Sequence, residues 1–243
     1  MISVLVLRLD APLMSFGGTA VDNYGVTDDH PGTSMLAGLL ANALGYDHRE
    51  TARTQRLQSR LRHAARADRA GSRFVDYQTV DLGQPSLLGM GWTTHGVPED
   101  RAGAFSEGTH IRYRHYIADA IYTVALTLEP ADEAPTLPEL AAALQRPARP
   151  LFIGRKPCLP AAPLFLYTED SPDLEAAIRS APLAARRADK GSLTLWLPAD
   201  EATGDGRTRY VRDQRDWANQ IHSGERLVRV DELHPPAEAA DVR

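Results

Sequence analysis

The N-terminal part of the chain alternates between apolar runs and breaks rich in glycine and proline. Residues 2–9 form an apolar run rich in β-branched residues, which predicts a buried first strand. Residues 11–32 contain several glycines and prolines and predict a long loop. Thr33 or Ser34 is then expected to cap a helix whose apolar residues recur every three or four positions, and Gly45 stands where a left-handed residue would end it.

A second helix is predicted over residues 49–67, where leucine and alanine recur on one side. The same segment carries four arginines at helical spacing, which would form one basic stripe: Arg49, Arg53, Arg56 and Arg60. We interpret the stripe as a solvated helix face. The alternatives are the wall of a binding groove or a contact with another subunit.

The middle of the chain has the pattern of strands. Residues 73–82 and the long run 109–128 consist largely of β-forming residues and predict two strands. Between them, residues 83–108 are rich in glycine and show little periodicity, which indicates a projecting loop or irregular hairpin of a kind that usually serves a function. Three short elements are expected to follow: a helix over 136–144, an apolar strand or turn over 150–157 and a strand over 162–168.

This order of elements predicts an α+β fold. Residues 1–168 would form a ferredoxin-like (RRM-like) βαββαβ domain that carries the 83–108 insertion between its middle strands. From 169 to 234 the pattern changes to short strand-like segments separated by turns, which predicts a smaller β-rich C-terminal part. Residues 235–243 are polar and rich in alanine, and a flexible tail is expected there.

Composition narrows the class of protein. The chain has 243 residues, 43% of them hydrophobic and 24% charged, which describes a globular protein with a core of its own. No apolar run approaches the roughly 18 residues of a transmembrane helix, and no secretory pattern opens the chain, so we expect a cytoplasmic protein without a membrane partner. Cys158 is the only cysteine, which excludes an internal disulfide and a multi-thiolate metal site. No motif indicates a cofactor or a metal.

The charge pattern gives mixed indications about nucleic acids. A formal net charge of −5 argues against a generic nucleic-acid binder. Yet every basic residue except Lys156 and Lys190 is arginine, the residue best suited to phosphate contacts and to stacking on bases. A GC-rich genome would produce the same bias. The position of the charges therefore matters more than their sum.

An aromatic–glycine loop follows the first predicted strand and contains Met14, Ser15, Phe16 and Gly17. Glycine lets a backbone approach a phosphate closely, and an aromatic ring offers a stacking face for an unpaired base. The alternative is a tight turn with Phe16 in the core.

The predicted strand 109–128 combines arginines and rings at Arg112, Arg114, His115 and Tyr116. Recognition of single-stranded RNA uses arginine for phosphates and rings for bases. Because side chains alternate along a strand, Arg112, Arg114 and Tyr116 would share one face. The alternative is a strand whose charged face is merely solvated.

A turn at Gly154, Arg155 and Lys156 joins a flexible residue to two adjacent cations. Such a turn could bind an anion, or it could be an ordinary solvated turn.

An enzyme is the alternative class of function. Metal-independent cleavage of RNA needs a base for the 2′-hydroxyl and an acid for the leaving oxygen. His115 lies near Tyr113 and Tyr116 and could belong to such a set, although residues 110–117 contain no lysine. A ferredoxin-like scaffold protein without an RNA role is a third alternative.

Five short segments resemble, in consistent order, the CasD family, whose members are small subunits of the type I-E CRISPR complex Cascade. The segments are 7–17, 31–41, 76–80, 113–120 and 150–158. Each is short, and their order makes the resemblance specific. It extends over about two-thirds of the chain.

The resemblance implies a non-catalytic RNA-binding subunit built on the ferredoxin-like fold. Such a subunit would bind and cap the 5′ handle of the CRISPR RNA and contact a Cascade backbone subunit and the large subunit. It would meet target DNA only through the complex. Residues 83–108 would act as a thumb beside the first spacer nucleotide. Ser34 joins the implied RNA contacts, although Thr33 stands where relatives often carry a basic residue, and the thumb has only Arg101 as a fixed positive charge.

Overall fold

The computed structural model describes residues 1–19, 23–81, 91–92, 98–99, 109–186, 191–199 and 206–234. The strands within them are β1 (Ile2–Met14), β2 (Tyr24–Gly25), β3 (Leu61–Arg69), β4 (Ser72–Asp81), β5 (Gly91–Trp92), β6 (Pro98–Glu99), β7 (Thr109–Leu128), β8 (Phe165–Ser171), β9 (Leu193–Pro198), β10 (Arg207–Asp216) and β11 (Ile221–Leu233). The helices are α1 (Thr33–Ala43), α2 (Thr51–Arg60), α3 (Leu137–Gln145) and α4 (Leu174–Ser180).

One large, mainly antiparallel sheet organises the described residues. Its strand order is β10-β11-β9-β3-β7-β1-β8, and β2 and β4 also pair with β7. The second half of β7 lies between β1 and β3 in the centre of the sheet. The first half pairs with β4 on one side, in a register that runs from Ser72↔Ala118 to Asp81↔Thr109, and with the short parallel β2 on the other. The fold is therefore mixed α and β around a largely antiparallel sheet.

Side chains alternate across the sheet and divide the core in two. On β1, Leu5 and Leu7 belong to a large apolar cluster that also contains residues of α1 and α3. Val4 and Val6 point to the opposite face and pack in a smaller cluster with Leu174 of α4. The two-residue period of an apolar strand thus builds both halves of the core.

Most of the predicted elements are present, and the differences have physical reasons. β1 continues to Met14, so the predicted loop over 11–32 begins later and is interrupted by β2. The predicted helix over 49–67 is wrong beyond Arg60, because residues 61–69 form β3 between β7 and β9. Alanine favours helix intrinsically, and here pairing with strands on both sides overrides that preference. Residues 150–157 form a turn, and α4 was not predicted.

The basic stripe predicted on α2 is only partly solvated. Arg53 and Arg56 are exposed and pair with Glu50 and Glu133. Arg60, in contrast, is fully buried, and its guanidinium donates to the carbonyl oxygens of Pro130, Glu133 and Pro135. A buried arginine is tolerated when its donors find acceptors in this way. The solvated interpretation is wrong for Arg60.

The expected N-cap of α1 is also different. The capping position belongs to Gly32, which has no side chain to accept a cap hydrogen bond. Instead, Asp213 of β10 accepts a hydrogen bond from the Thr33 N–H at 2.9 Å and pairs with Arg226 at 2.9 Å. Arg226 in turn lies 3.0 Å from Nε2 of His63. Burial, aided by the Arg226 charge, lowers the pKa of His63 to about 3, so its ring is neutral at pH 7.

The C-terminal strands extend the central sheet. β9 pairs with β3, β11 pairs with β9, and β10 forms the sheet edge. The Asp213 contact therefore places the β10–β11 hairpin against the start of α1, although about 180 residues separate them in the chain. The thumb prediction for 83–108 lies outside the described residues, apart from the backbone of β5 and β6, which pair with each other.

Candidate nucleic-acid interface

The glycine loop, residues 14–18, turns back from the end of β1. The Phe16 N–H donates to the Thr27 hydroxyl at 2.9 Å, and Gly17 adopts φ +87°, which favours glycine. Met14 and Phe16 are buried, and the Phe16 ring meets Tyr122 edge-on at 5.0 Å. Phe16 is therefore a core residue, and the expectation that its ring offers an exposed stacking face is wrong.

The 154–156 turn lies directly on this loop. The Ser15 N–H donates to the Ile153 carbonyl at 3.1 Å. Gly154 adopts φ +91°, and a Cβ built there would lie 1.6 Å from the Ser15 carbonyl oxygen. Only glycine fits so close a backbone approach. Two segments that the sequence predicted separately are thus one structural unit.

Arg155 connects this unit to β7 and β2. Its guanidinium donates to the carbonyl oxygens of His115 at 2.8 Å and Gly25 at 2.7 Å, and it also lies 5.0 Å from the centre of the Tyr116 ring. These donors are already used, so the expected anion-binding role is not the main role of Arg155. Arg155 instead holds the turn against β7 and β2 through these hydrogen bonds. The neighbouring Lys156 is exposed.

The first half of β7 presents the predicted alternation. Arg112, Arg114 and Tyr116 stand opposite Gln78, Asp76 and Phe74 of β4, each pair two residues from the next. Arg114 lies over Gly25, where a Cβ would come within 2.9 Å of its Nη1. Within the part of the chain that the structure describes, Arg114 makes no hydrogen bond or ion pair, and it is partly exposed. This guanidinium is available for an external anion.

The other face of β7 carries an aromatic cluster that the sequence analysis did not predict. Tyr24 stacks on Tyr113 with ring centres 4.9 Å apart, and Tyr77 meets Tyr113 at 5.4 Å. Tyr24 and Tyr77 are about half exposed, at 48% and 55%. His115 is partly exposed and opposite Val75 on this face. The sequence gives little indication of this cluster, because Tyr24 belongs to β2, which is two residues long and lies in a segment predicted as loop.

A cavity of about 280 Å³ lies beside the glycine loop. Of the predicted site residues, it brings together Ser15, Phe16, Gly17, Ser34, Gly154 and Arg155. The other predicted residues, which are Met14 on β1, those on β7 and Lys156, do not line it. The wall also contains three polar or aromatic residues of the β10–β11 hairpin that the sequence analysis did not predict: Arg215, Trp217 and His222. They lie around the connection between β10 and β11, which the sequence analysis assigned to a separate C-terminal part.

These three residues are held by contacts within the hairpin and to α2. Arg215 donates to the Gln220 side chain at 2.7 Å, and the Trp217 indole donates to Gln58 at 2.9 Å. Burial lowers the pKa of the Arg215 guanidinium from its usual high value. Burial and the Arg215 charge also lower the pKa of His222, outweighing the Asp213 charge and the Arg212 carbonyl. The imidazole is therefore neutral at pH 7 and can donate or accept a hydrogen bond.

The described residues contain no group of three or more His, Cys, Asp or Glu side chains that could hold a metal ion. In the same residues, no helix combines the length and the apolar character that crossing a membrane requires.

Residues 4–229 match the family model described as "CRISPR-associated protein (Cas_Cas5)". The chain belongs to the Cas5 family. The Cascade subunit CasD of Escherichia coli (strain K12) is 32% identical to this Cas5 chain over 178 residues, which are 72% of this chain and 75% of CasD. The resemblance to CasD is thereby confirmed.

Two solved structures are similar to this Cas5 chain over nearly its whole length. One is a chain of a "CRISPR RNA-guided surveillance complex", with a TM-score of 0.68, 25% identity, and coverage of 96% of this chain and 91% of that one. The other, "Crystal structure of Cas protein", has a TM-score of 0.63, 26% identity, and coverage of 95% of both chains. The mixed fold around a large antiparallel sheet is therefore that of Cas proteins.

Proposed function

We propose that this chain is a non-catalytic subunit of a CRISPR RNA-guided surveillance complex and that it binds and caps the 5′ handle of the CRISPR RNA. One observation carries the proposal: the glycine loop, the 154–156 turn and the first half of β7 meet at one surface in a chain of the Cas5 family. Arg114 contributes an unpaired cation there, and the loop and turn contribute closely packed backbone.

The fold supports an RNA-binding role. The strand order β8-β1-β7-β3, with α1 and α2 between β1 and β3 and with α3 between β7 and β8, follows the order expected of a ferredoxin-like βαββαβ domain. Members of the RNA-binding RRM class use such a sheet with exposed rings for stacking. Tyr24, Tyr77 and Tyr113 supply a cluster of partly exposed rings on the face of β7 opposite Arg114.

The proposal includes a role in assembly of the complex. The 83–108 segment would project as a thumb from the β4–β7 ladder beside the first spacer nucleotide. The body would contact a Cascade backbone subunit and the large subunit. Target DNA would meet the chain only through the complex, because guide pairing reads the target sequence.

Arg114 provides the sharpest test of RNA binding. Arg114→Ala should weaken binding of a repeat-derived handle RNA by the full chain and reduce the slope of log K against log salt by about 0.7, because one phosphate contact and its released counterion are lost. Arg56→Ala is the control: Arg56 is more exposed than Arg114, lies on α2, and has its charge paired with Glu133. Binding and slope should stay unchanged in the control. An unchanged slope in Arg114→Ala would remove this residue from the site.

The same assay separates binding from cleavage. The recovered RNA should be intact, with magnesium or with EDTA, because His115 has no described acid–base partner beyond the tyrosines of its own strand. Cleavage at the handle boundary that His115→Ala abolishes would overturn the non-catalytic proposal in favour of an endoribonuclease.

A further inference from the structure

The central sheet is interrupted at one level, where three neighbouring strands lose their regular pairing. The register of β7 places Asp119 between Pro12 of β1 and Gly71, which lies between β3 and β4. Neither of these two described neighbours forms a ladder pair with Asp119. Beyond this level, β4 and the first half of β7 continue as a unit that we call the arm, residues 72–81 and 109–118.

The backbone of β7 departs from strand geometry at Asp119. Its φ is +53°, in the left-handed region that costs energy for a residue other than glycine. Gly71, on the adjacent strand, has φ +70°, and a Cβ there would lie 2.4 Å from the Ala118 carbonyl oxygen. Both strands of the arm therefore leave the central sheet through a left-handed residue. We call this pair, Gly71 and Asp119, the kink.

The Asp119 side chain gives the kink contacts that a glycine could not make. Its carboxylate forms ion pairs with Arg69 of β3 and, at 3.4 Å, with Arg186 of the segment that follows α4. Arg186 also pairs with Asp10 of β1 at 3.4 Å. Both cations therefore connect the kink to neighbouring strands of the central sheet, Arg69 directly and Arg186 through Asp10.

We propose that Asp119 is a positioning residue: its ion pairs with Arg69 and Arg186 hold the arm at the angle that presents Arg114 to RNA. The inference rests on the proposed RNA-binding function. Arg114 stands on the same strand as Asp119, so the direction in which β7 leaves the kink decides where the Arg114 guanidinium lies.

A second set of contacts supports the arm closer to Arg114. Arg155 donates to the His115 carbonyl oxygen at 2.8 Å, and Gly25 of β2 pairs with Arg114. These contacts fix the position of one part of β7, whereas the Asp119 ion pairs fix the direction in which the strand leaves the central sheet. Loss of the Asp119 charge should therefore leave the arm attached and folded but free to turn about its point of attachment.

Distance measurements between two spin labels test the positioning role in the free chain. One label is attached at Thr79→Cys on the arm and the other at Ala142→Cys on α3, which are both exposed positions. The native Cys158 is fully buried and stays unlabelled. The wild-type kink should give a narrow distribution of distances, and Asp119→Asn should give a broad one. Asparagine tolerates the left-handed backbone as aspartate does, so this variant removes the charge and keeps the local conformation.

Two further measurements attribute the effect to the ion pairs. The double variant Arg69→Gln/Arg186→Gln leaves Asp119 in place and should broaden the distribution as much, and adding Asp119→Asn to it should change nothing further. At 1 M salt, where the Debye length is about 3 Å, the wild-type distribution should widen to that of Asp119→Asn.

Binding of a repeat-derived handle RNA connects the arm to function. Asp119→Asn should bind about threefold more weakly, the loss expected if the arm spends about one third of its time in the binding orientation. Its melting temperature should stay within about 4 °C of the wild type, because exposed ion pairs contribute little to stability.

Glu129→Gln is the matched control. The Glu129 side chain is 57% exposed, against 53% for Asp119, and it pairs with Arg62 at 3.4 Å beyond the other end of β7. This variant should keep the wild-type distance distribution and the wild-type RNA affinity. If Asp119→Asn lowers the melting temperature further than expected, the arginine double variant takes its place.

The outcomes separate the positioning role from the proposed function. An unchanged distance distribution in Asp119→Asn overturns the positioning role, whatever the RNA affinity. A broad distribution with an unchanged RNA affinity shows that the angle of the arm does not matter for binding and overturns it equally. If the wild type binds no handle RNA, the proposed function fails, and the distance distribution alone decides whether Asp119 holds the arm.

Discussion

Gly154 holds the two halves of the candidate interface together. Its positive φ and the approach to the Ser15 carbonyl exclude a side chain. We therefore expect Gly154→Ala to lower the free energy of unfolding by about 2 kcal/mol or more, measured by denaturant titration. Gly191→Ala is the control, because a Cβ at Gly191 has no atom within 4 Å and its effect should stay within about 0.5 kcal/mol. Equal stability of the two variants would show that the close approach is absent.

Residue types indicated which segments meet at the candidate interface, but not the role of each side chain there. The sequence located Ser15, Gly154 and Arg114, because glycine next to cations and rings is a recognisable local pattern. The sequence could not show that Arg155 donates hydrogen bonds to backbone carbonyls or that Phe16 lies in the core. Both facts depend on residues that are distant in the chain and pack nearby in the fold. The sequence alone does not distinguish a buried arginine such as Arg60 from a surface arginine, because its hydrogen-bond acceptors are backbone carbonyls of a distant segment.

At the scale of elements, a carboxylate from β10 caps α1. Asp213 is 2% exposed and is held by the Thr33 N–H and by Arg226. Asp213→Asn should lower the free energy of unfolding at pH 7 by about 3 kcal/mol, because Arg226 loses the buried partner of its charge. Asp132→Asn, at an exposed position, should change it by less than about 0.5 kcal/mol.

The same contact predicts a dependence on pH. Burial alone would raise the pKa of Asp213, but the Arg226 charge and hydrogen bond outweigh it, so the pKa lies below its ordinary value. The stabilisation is therefore fully present above the ordinary carboxyl pKa of about 4 and is lost as the pH falls below it towards the folded value. The stability gap between wild type and Asp213→Asn should narrow in that range. A gap that stays constant down to pH 3 would contradict the ion pair.

The β4–β7 ladder predicts that the thumb segment is separable from the core. The ladder is continuous to Asp81↔Thr109, so replacing residues 87–101 by a short glycine–serine turn leaves all of its pairs in place. Shortening a loop changes its closure free energy by only about 0.6 kcal/mol per halving. The melting temperature should hold within a few degrees, while the yield of assembled complex falls. A collapse of the melting temperature would show that the segment belongs to the core.

Strands with strong β-formers were predictable at this scale, and β7 has the bounds that the sequence predicted. β3 was not, because its alanines favour helix in isolation and the neighbours β7 and β9 come from distant parts of the chain. The placement of the β10–β11 hairpin against α1 could not be predicted either, since it depends on the Thr33–Asp213 hydrogen bond and on sheet pairing through β9, both between residues far apart in the chain.

At the scale of the whole molecule, a net charge of −5 is compatible with an RNA-binding surface, because carboxylates neutralise much of the arginine elsewhere. Arg66 is paired with Asp68 in the core, and Arg179 is paired with Glu175 on α4. Arg114 lacks such a partner within the described residues. Under the proposed function, the charge available to RNA is the part left unpaired at one surface.

Site-specific crosslinking tests whether this chain contacts the 5′ handle of the guide RNA through the candidate interface. The surveillance complex is assembled with guides that carry one photoreactive nucleotide at each position in turn, and the peptides of this chain that become crosslinked are mapped by mass spectrometry. We expect crosslinks from the 5′ handle to peptides of the glycine loop, the first half of β7 and the β10–β11 hairpin. Crosslinks only from the spacer or the 3′ end, or only to the α4 face of the sheet, would contradict it.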